Sequence, residues 1–423
     1  MPLMPGSREA TGAYNQCFTE NWHVSANMGF GSSSIWKPSA SPVQSMSSDR
    51  EILLISDHPA RSRELAQRLG GRYACRMIGL YEQQSTAEPV AAIITDVGFR
   101  HSSDIERLRH LLSQPCATAA PIVALLQNNS HLERVQAVAI GATFLLPGDV
   151  AVAEICAALA PIIRSTTPPA VPATSLAPAQ DIEQARLQFG TIFDAAGRGE
   201  PISRTSVDNA TASAMAAIAE GGIRQWLDVV WTYDEATYQH CLLVTGLAAA
   251  FAASLQFARN DQETVTRAAL LHDLGKAKIP LAILNKPGAL TSEEIAIMRT
   301  HARIGYELLR EQGKYEHEIL EVVLRHHELI DGSGYPDGLS GPQINDLVRL
   351  VTICDVYAAL IERRSYRQAM EPASAFKILQ EMEGKLEGAL VRAFAQVAEN
   401  SAAPVLNKRL GPACRHDSRS IHY

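Results

Sequence analysis

The stretch from His240 to Arg367 restricts what this chain can fold into more than any other part of it. It holds His240, the adjacent His272 and Asp273 in Leu-Leu-His-Asp-Leu-Gly-Lys, His301, the doublet His326 and His327, and Asp355. Most of these stand in segments that read as apolar helices. His240 shares a helical face with Leu243, Val244 and Leu247. His301 is expected on a helix opened by Thr291, with Glu294 three residues later as a capping box, and on one face with Ile297, Met298, Ile304 and Leu308. His326 falls on the stripe of Ile319, Val322 and Val323, and Asp355 on that of Val348 and Val351. A stripe that packs inward takes its imidazole or carboxylate with it, and buried charge must be paired or bound to metal. One histidine on an apolar face is most often a hydrogen-bonded core residue. The joint occurrence and order of seven such groups is what points to a metal centre. Imidazole and carboxylate together suit iron, manganese, zinc or nickel, with no cysteine needed.

Length and charge set the frame around that centre. A chain of 423 residues is too long for one ordinary domain and predicts two domains with linkers. Its formal charge of −7 excludes a protein that coats nucleic acid. An anionic small substrate stays compatible, because a metal cluster and a few arginines make one cleft positive inside an acidic protein. The seven cysteines are scattered without CxxC pairing, a pattern that fits a reducing cytoplasm. The sequence has no run of about 18 apolar residues and no signal-peptide layout, so a soluble, cytoplasmic protein without membrane contact is expected.

Taken in order, residues 1–49 are rich in Ser, Gly, Pro and Met and are expected to form a disordered tail. Residues 50–164 alternate short apolar runs with helical stretches. Strands are predicted at Ile52–Ile55, Tyr73–Ile78, Val90–Thr95, Pro121–Leu126 and Ala142–Leu146, and helices at Ala60–Leu69, Ile105–Leu112 and His131–Ile140. That alternation implies a doubly wound parallel sheet. A Pro/Ala/Thr-rich linker is expected over 165–180, a helical domain over 181–410 and a frayed tail over 411–423.

The first domain resembles a response-regulator receiver. Asp96, ending Ile-Ile-Thr-Asp, matches the phosphoacceptor, and Asp57 matches one of two metal-binding acids. Ser56 replaces the other acid, Leu126 stands where that family has Thr or Ser, and its lysine is absent from Gly-Ala-Thr-Phe-Leu-Leu-Pro-Gly. An aspartyl phosphate needs a divalent cation and a lysine to offset its charge. The domain is therefore read as a degenerate receiver acting in dimerisation or protein contact.

The helical domain is similar to the HD-GYP subfamily of HD phosphohydrolases. The resemblance rests on His272-Asp273 in its heptapeptide and on His326-His327-Glu328-Leu329-Ile330-Asp331-Gly332-Ser333-Gly334-Tyr335-Pro336-Asp337-Gly338. Supporting pieces are Lys286-Pro287-Gly288, Met298-Arg299-Thr300-His301 and Ser365-Tyr366-Arg367. It implies a multidomain protein, an α/β receiver-like unit followed by an all-α bundle around a metal centre, usually of iron or manganese. It also implies hydrolysis of the bacterial messenger cyclic di-GMP to pGpG or GMP in two-component signalling, with a homodimer and GGDEF-domain partners. Carried over by position, His240, His272, Asp273, His301, His326, His327 and Asp355 match the metal ligands, with Asp273 bridging. Some members carry a glutamate four residues before the first histidine; here that residue is Ala236, so two divalent ions are expected. Lys276 is placed to contact a phosphate and stabilise the transition state, Arg364 and Arg367 match substrate-contacting arginines, and Tyr335 would stack on a guanine. Three departures bear on substrate binding: Ala358 for a common acid, Ser365 for a proline, and Leu329-Ile330 for a bulkier pair. A weakly hydrolysing cyclic di-GMP sensor, or a phosphodiesterase for another cyclic dinucleotide, are the alternatives.

Overall fold

The computed structural model describes residues 51–402, apart from 71, 83–88, 100–101, 115–119, 165–176, 234–235, 287 and 363–368. The tails expected over 1–49 and 411–423, most of the linker, and the Ser365-Tyr366-Arg367 segment with Arg364 lie outside the described residues.

Five strands build one parallel sheet: β1 (Glu51–Ser56), β2 (Ala74–Gly79), β3 (Ala92–Asp96), β4 (Ile122–Leu126) and β5 (Ala142–Pro147), in the order β2-β1-β3-β4-β5. Between and after them run α1 (Pro59–Leu69), α2 (Ser102–Leu112), α3 (His131–Ala139) and α4 (Val152–Arg164). The strands are continuously apolar because helices cover both faces. Leu53, Ile55 and Ile93 belong to one core cluster, while Ile52, Leu54 and Ile94 belong to the other. Pairing of Ser56 with Asp96 brings the carboxyl ends of β1 and β3 side by side.

The second unit is helical: α5 (Ala177–Arg198), α6 (Arg204–Val230), α7 (Ala236–Ser254), α8 (Arg259–Leu271), α9 (Leu281–Leu284), α10 (Ser292–Arg299), α11 (His301–Arg310), α12 (His317–Arg325), α13 (Asp346–Ile361), α14 (Pro372–Glu381) and α15 (Gly388–Ser401). One apolar cluster joins α5 to α8 with α12, α13 and α15. Helix α7 is its axis. Residues from Cys241 to Ala249 are all buried, so this stretch of α7 has no solvent face, and its apolar residues are not confined to one stripe. No described helix is long and apolar enough to cross a membrane.

Two expectations need correction. Helix α5 starts at Ala177, inside the segment expected to be linker; Pro178 is tolerated there because the first turn makes no use of its missing N–H. The helix expected to run from Thr291 through His301 is broken. The Thr291/Glu294 capping box opens α10, but Thr300 closes that helix and His301 begins α11. With the axis redirected, Ile297 is 40% exposed rather than inward.

The two units meet along α3. His131 stacks on Phe257 at 4.6 Å and pairs with Asp261 at 2.9 Å, and Arg134 donates to the Gln256 carbonyl at 2.7 Å.

Candidate metal centre

Each group of the centre arrives at the end or inside of a packed helix. Helix α8 stops at Leu271, leaving His272 and Asp273 at its C-terminus, and the chain turns through a 3-10 segment, Leu274–Lys278. Gly275 in this turn lies directly on α11: a Cβ there would stand 1.9 Å from the His301 carbonyl oxygen and 2.6 Å from Gly305 N. This backbone-to-backbone approach sets His301 beside Asp273. His326 and His327 follow the last turn of α12, His240 comes from α7 and Asp355 from α13.

The structure brings all seven predicted groups together, every one of them buried. Asp273 divides them. Its Oδ1 is 3.2 Å from His301 Nε2 and 3.6 Å from His326 Nε2, while its Oδ2 is 3.3 Å from His272 Nε2 and 3.8 Å from His240 Nε2. Asp355 Oδ1 lies 2.9 Å from His240 Nε2 and 4.0 Å from His272 Nε2, and its Oδ2 is 3.8 Å from His327 Nδ1. His301 Nε2 stands 3.3 Å from His326 Nε2 and 3.2 Å from His327 Nε2.

The protonation pattern follows from the second nitrogens. His272 Nδ1 donates to the Ala269 carbonyl at 2.6 Å, His301 Nδ1 to that of Met298 at 2.7 Å, and His326 Nδ1 to that of Val323 at 3.1 Å. A carbonyl only accepts, so these Nδ1 atoms carry the proton and Nε2 presents a lone pair. The carbonyls are those a helix leaves without an intrahelical partner at its C-terminus. The Nε2 lone pairs of His301 and His326 thus face one another without a proton between them. Among the described residues, His272 Nε2 and Asp355 Oδ2 are buried without a hydrogen-bond partner. Converging buried acceptors of this kind are costly unless a cation joins them. Ligands about 2.1 Å from one ion stand about 3.0–3.4 Å apart, the range in which these nitrogens lie. The donor set fits divalent metal.

Electrostatics agree. Burial pushes His326 down to about 4 against the pull of Asp273, and burial with the neighbouring His326 and His301 holds His327 well below its ordinary value. Burial would raise Asp273, but the Lys276 ammonium beside it outweighs burial and holds its carboxyl well below the usual range. Neutral imidazoles around ionised carboxylates are the state in which such groups bind metal. His240 differs: burial opposes its protonation, yet Asp355 and Glu362 raise it to about 9.

The remaining predicted residues take other places. Lys276 Nζ is 2.5 Å from Asp273 Oδ2 and buried with it. The Tyr335 ring stacks on His327 at 4.6 Å, with the Arg299 guanidinium 4.8 Å from its centroid, so it touches the ligand set itself. Asp57 and Asp96 lie in the other unit, at the carboxyl end of the sheet, where Arg61 donates to Asp96 at 2.7 Å.

Sequence reasoning did not single out Glu328 or Glu362. Glu328 is buried next to the histidine doublet and accepts from the backbone N–H groups of Asp337, Gly338 and Leu339 at 2.6, 3.1 and 3.0 Å. It ties the Gly334-Tyr335-Pro336 loop to the ligand helix. An acid directly after His-His and before a glycine-rich loop was the available signal. Glu328→Ala is expected to cost about 3 kcal/mol, since it removes three hydrogen bonds to a charged group, a kind worth about 1.5–3 kcal/mol each. Equilibrium urea unfolding checks this, and an unchanged midpoint would show that the loop holds itself.

Residues 224–390 match the family model of the HD domain. The chain is 36% identical over 194 residues to the cyclic di-GMP phosphodiesterase PA4108 of Pseudomonas aeruginosa, covering 45% of this chain and 47% of that protein. It is 41% identical over 141 residues to the cyclic di-GMP phosphodiesterase response regulator RpfG of Xanthomonas campestris, covering 33% and 37%. It is 37% identical over 121 residues to the 3'3'-cGAMP-specific phosphodiesterase 3 of Vibrio cholerae, covering 29% and 26%. The chain thus spans less than half the length of each of these relatives.

Proposed function

We propose that the chain is a metal-dependent phosphodiesterase that hydrolyses cyclic di-GMP to pGpG or GMP. One observation carries the reading: Asp273 is buried among six other candidate ligands, and its two oxygens face separate pairs of imidazoles, His301 with His326 and His272 with His240. Two divalent ions held by these residues, iron or manganese, would polarise the phosphodiester and lower the pKa of the attacking water. Lys276, next to Asp273 Oδ2, keeps that carboxylate ionised and puts an ammonium within reach of a phosphate oxygen. An open cleft beside His301 is walled by Arg299, Thr300, Arg303, Tyr335 and Pro336. Guanidinium groups on this wall suit phosphate or a guanine edge. Arg364 and Arg367 are proposed as further substrate contacts on the strength of their sequence positions. The relative named for 3'3'-cGAMP supports a second reading, in which that cyclic dinucleotide is the substrate.

The test is a turnover assay. Anaerobically purified protein, supplied with ferrous or manganous ion, is incubated with cyclic di-GMP or 3'3'-cGAMP, and the nucleotides are resolved by chromatography. Release of pGpG or GMP from cyclic di-GMP, with two ions per chain by elemental analysis, is the expected result. Turnover of 3'3'-cGAMP alone would reassign the substrate, and bound metal with neither nucleotide cut would end the enzymatic reading.

For the first unit we propose a receiver-like contact domain that works without phosphorylation. Asp96 accepts from Arg61 Nε at 2.7 Å and from Gln127 Nε2, and Arg61 also faces Asp57 at 3.5 Å and Gln127 Oε1 at 2.8 Å. The guanidinium thereby neutralises the acids a cation would otherwise bridge. Asp96→Asn is expected to leave cyclic di-GMP turnover unchanged with or without acetyl phosphate. An acetyl-phosphate activation that this substitution removes would show a working phosphoacceptor.

A further inference from the structure

We infer that Glu362 is a positioning residue of the metal centre, steadying the His240 imidazole so that Nε2 faces the Asp273 and Asp355 carboxylates, where a divalent ion would be held. The inference rests on the metal-centre reading and is independent of which nucleotide is cut. Glu362 directly follows α13, yet its side chain has no exposure at all. A carboxylate sealed in this way requires a charged or hydrogen-bonding partner. Its Oε2 lies 3.7 Å from His240 Nδ1, while Asp355 Oδ1 lies 2.9 Å from Nε2 of the same ring. Asp355 and Glu362 are seven residues apart, two turns of helix, which puts both on the face of α13 turned to α7.

The other imidazoles show why His240 needs this partner. His272, His301 and His326 each give Nδ1–H to a carbonyl within a helix's last turn, where such oxygens are available. His240 lies inside α7, where the carbonyls are committed to the helical ladder. Its ring must find an acceptor on another element. Glu362, with Oε2 3.7 Å from Nδ1 and its side chain sealed from solvent, is the carboxylate placed to take that role. A ligating histidine whose second nitrogen donates to a carboxylate is fixed in tautomer and angle, and is a better donor to the metal.

The experiment is a calorimetric Mn2+ titration of the metal-stripped full-length protein and of folded Glu362→Met, Glu362→Gln, His240→Ala and His240→Ala/Glu362→Met variants. Glu362→Met is expected to weaken Mn2+ binding by roughly ten- to hundred-fold. Glu362→Gln, which keeps an acceptor for Nδ1–H, is expected to lose less. In the His240→Ala background the Met substitution should add nothing, because its effect passes through that ring. Wild-type affinity in Glu362→Met, or an equal further loss without His240, overturns the inference while leaving the metal centre standing. A wild-type protein that takes up no Mn2+ overturns both. If Glu362→Met does not fold, Glu362→Asp, one methylene short of His240, takes its place: weaker binding supports the assignment and unchanged binding refutes it.

Discussion

Asp273→Asn is expected to lower cyclic di-GMP turnover by at least about a thousandfold, the upper range for losing one electrostatic stabiliser of a transition state, and to reduce bound metal. The substitution keeps the shape of the side chain and removes its charge. Asp273 Oδ1 serves His301 and His326, and Oδ2 serves His272, His240 and Lys276, so no other single residue touches as much of the centre. An amide offers one oxygen and one nitrogen, and the nitrogen has no lone pair for a metal. It also removes the charge that Lys276 faces in a buried site, so a loss of stability should accompany the loss of turnover. Steady-state kinetics and elemental analysis read the two effects together. Removing His272 as well should cost little more, because groups that act as a unit are not additive. Turnover above about a tenth of wild type in Asp273→Asn would mean that the carboxylate does not bridge the reacting centre.

Why the candidate ligands could be picked out from the sequence while their supports could not is a matter of range. His240, His326 and Asp355 declare themselves by residue type on inward stripes, and His272, Asp273, His301 and His327 by residue type and motif; all seven are buried in the fold. The sheet was legible for a similar reason: its strands are short apolar runs with polar ends, and each lies within two residues of its expected bounds. The break at Thr300 left no such mark, since neither Pro nor Gly stands there and the residue keeps right-handed helical angles. The new axis lays α11 directly on the Gly275 turn, a contact between segments distant in sequence. Glu328 accepts from N–H groups that reach it only after the loop has folded, so its position after His-His marks it but not its role, and nothing local distinguishes Glu362, which meets His240 of α7 only in the folded bundle, from a solvated acid. Arg61 is one of several arginines on an amphipathic helix, and its pairing with Asp96 depends on the β1–β3 register. Helix α7 fails in the opposite way: buried all round from Cys241 to Ala249, it offers no polar face there by which its orientation could be read.

Gly275→Ala should be the most damaging single-atom addition among the substitutions considered, at about 3 kcal/mol or more, the upper end of overpacking costs. The backbone at Gly275 is not left-handed, so the cost arises from space alone. The new Cβ would meet the His301 carbonyl oxygen at 1.9 Å and Gly305 N at 2.6 Å, and neither is the end of a side chain that can swing aside. Helix α11 would have to lift. Gly305 in turn faces Val323 of α12, where a Cβ would stand 2.9 Å from the valine methyl, so the strain passes into the helix that ends at His326. Because His301 is the first residue of α11, the same displacement carries its Nε2 away from Asp273, and a misplacement of about 1 Å costs about a hundredfold in rate. Gly190→Ala in α5 supplies the control: nothing lies within 4 Å of its Cβ, and a helical Gly-to-Ala exchange there should stabilise by up to about 1 kcal/mol. Urea unfolding of the two variants against wild type compares them directly. If Gly275→Ala unfolds at the wild-type midpoint, the turn does not lie on α11, and the placing of His301 against Asp273 must have another cause. If it unfolds early and the folded remainder also turns over slowly, the glycine is what holds the two halves of the ligand set in register.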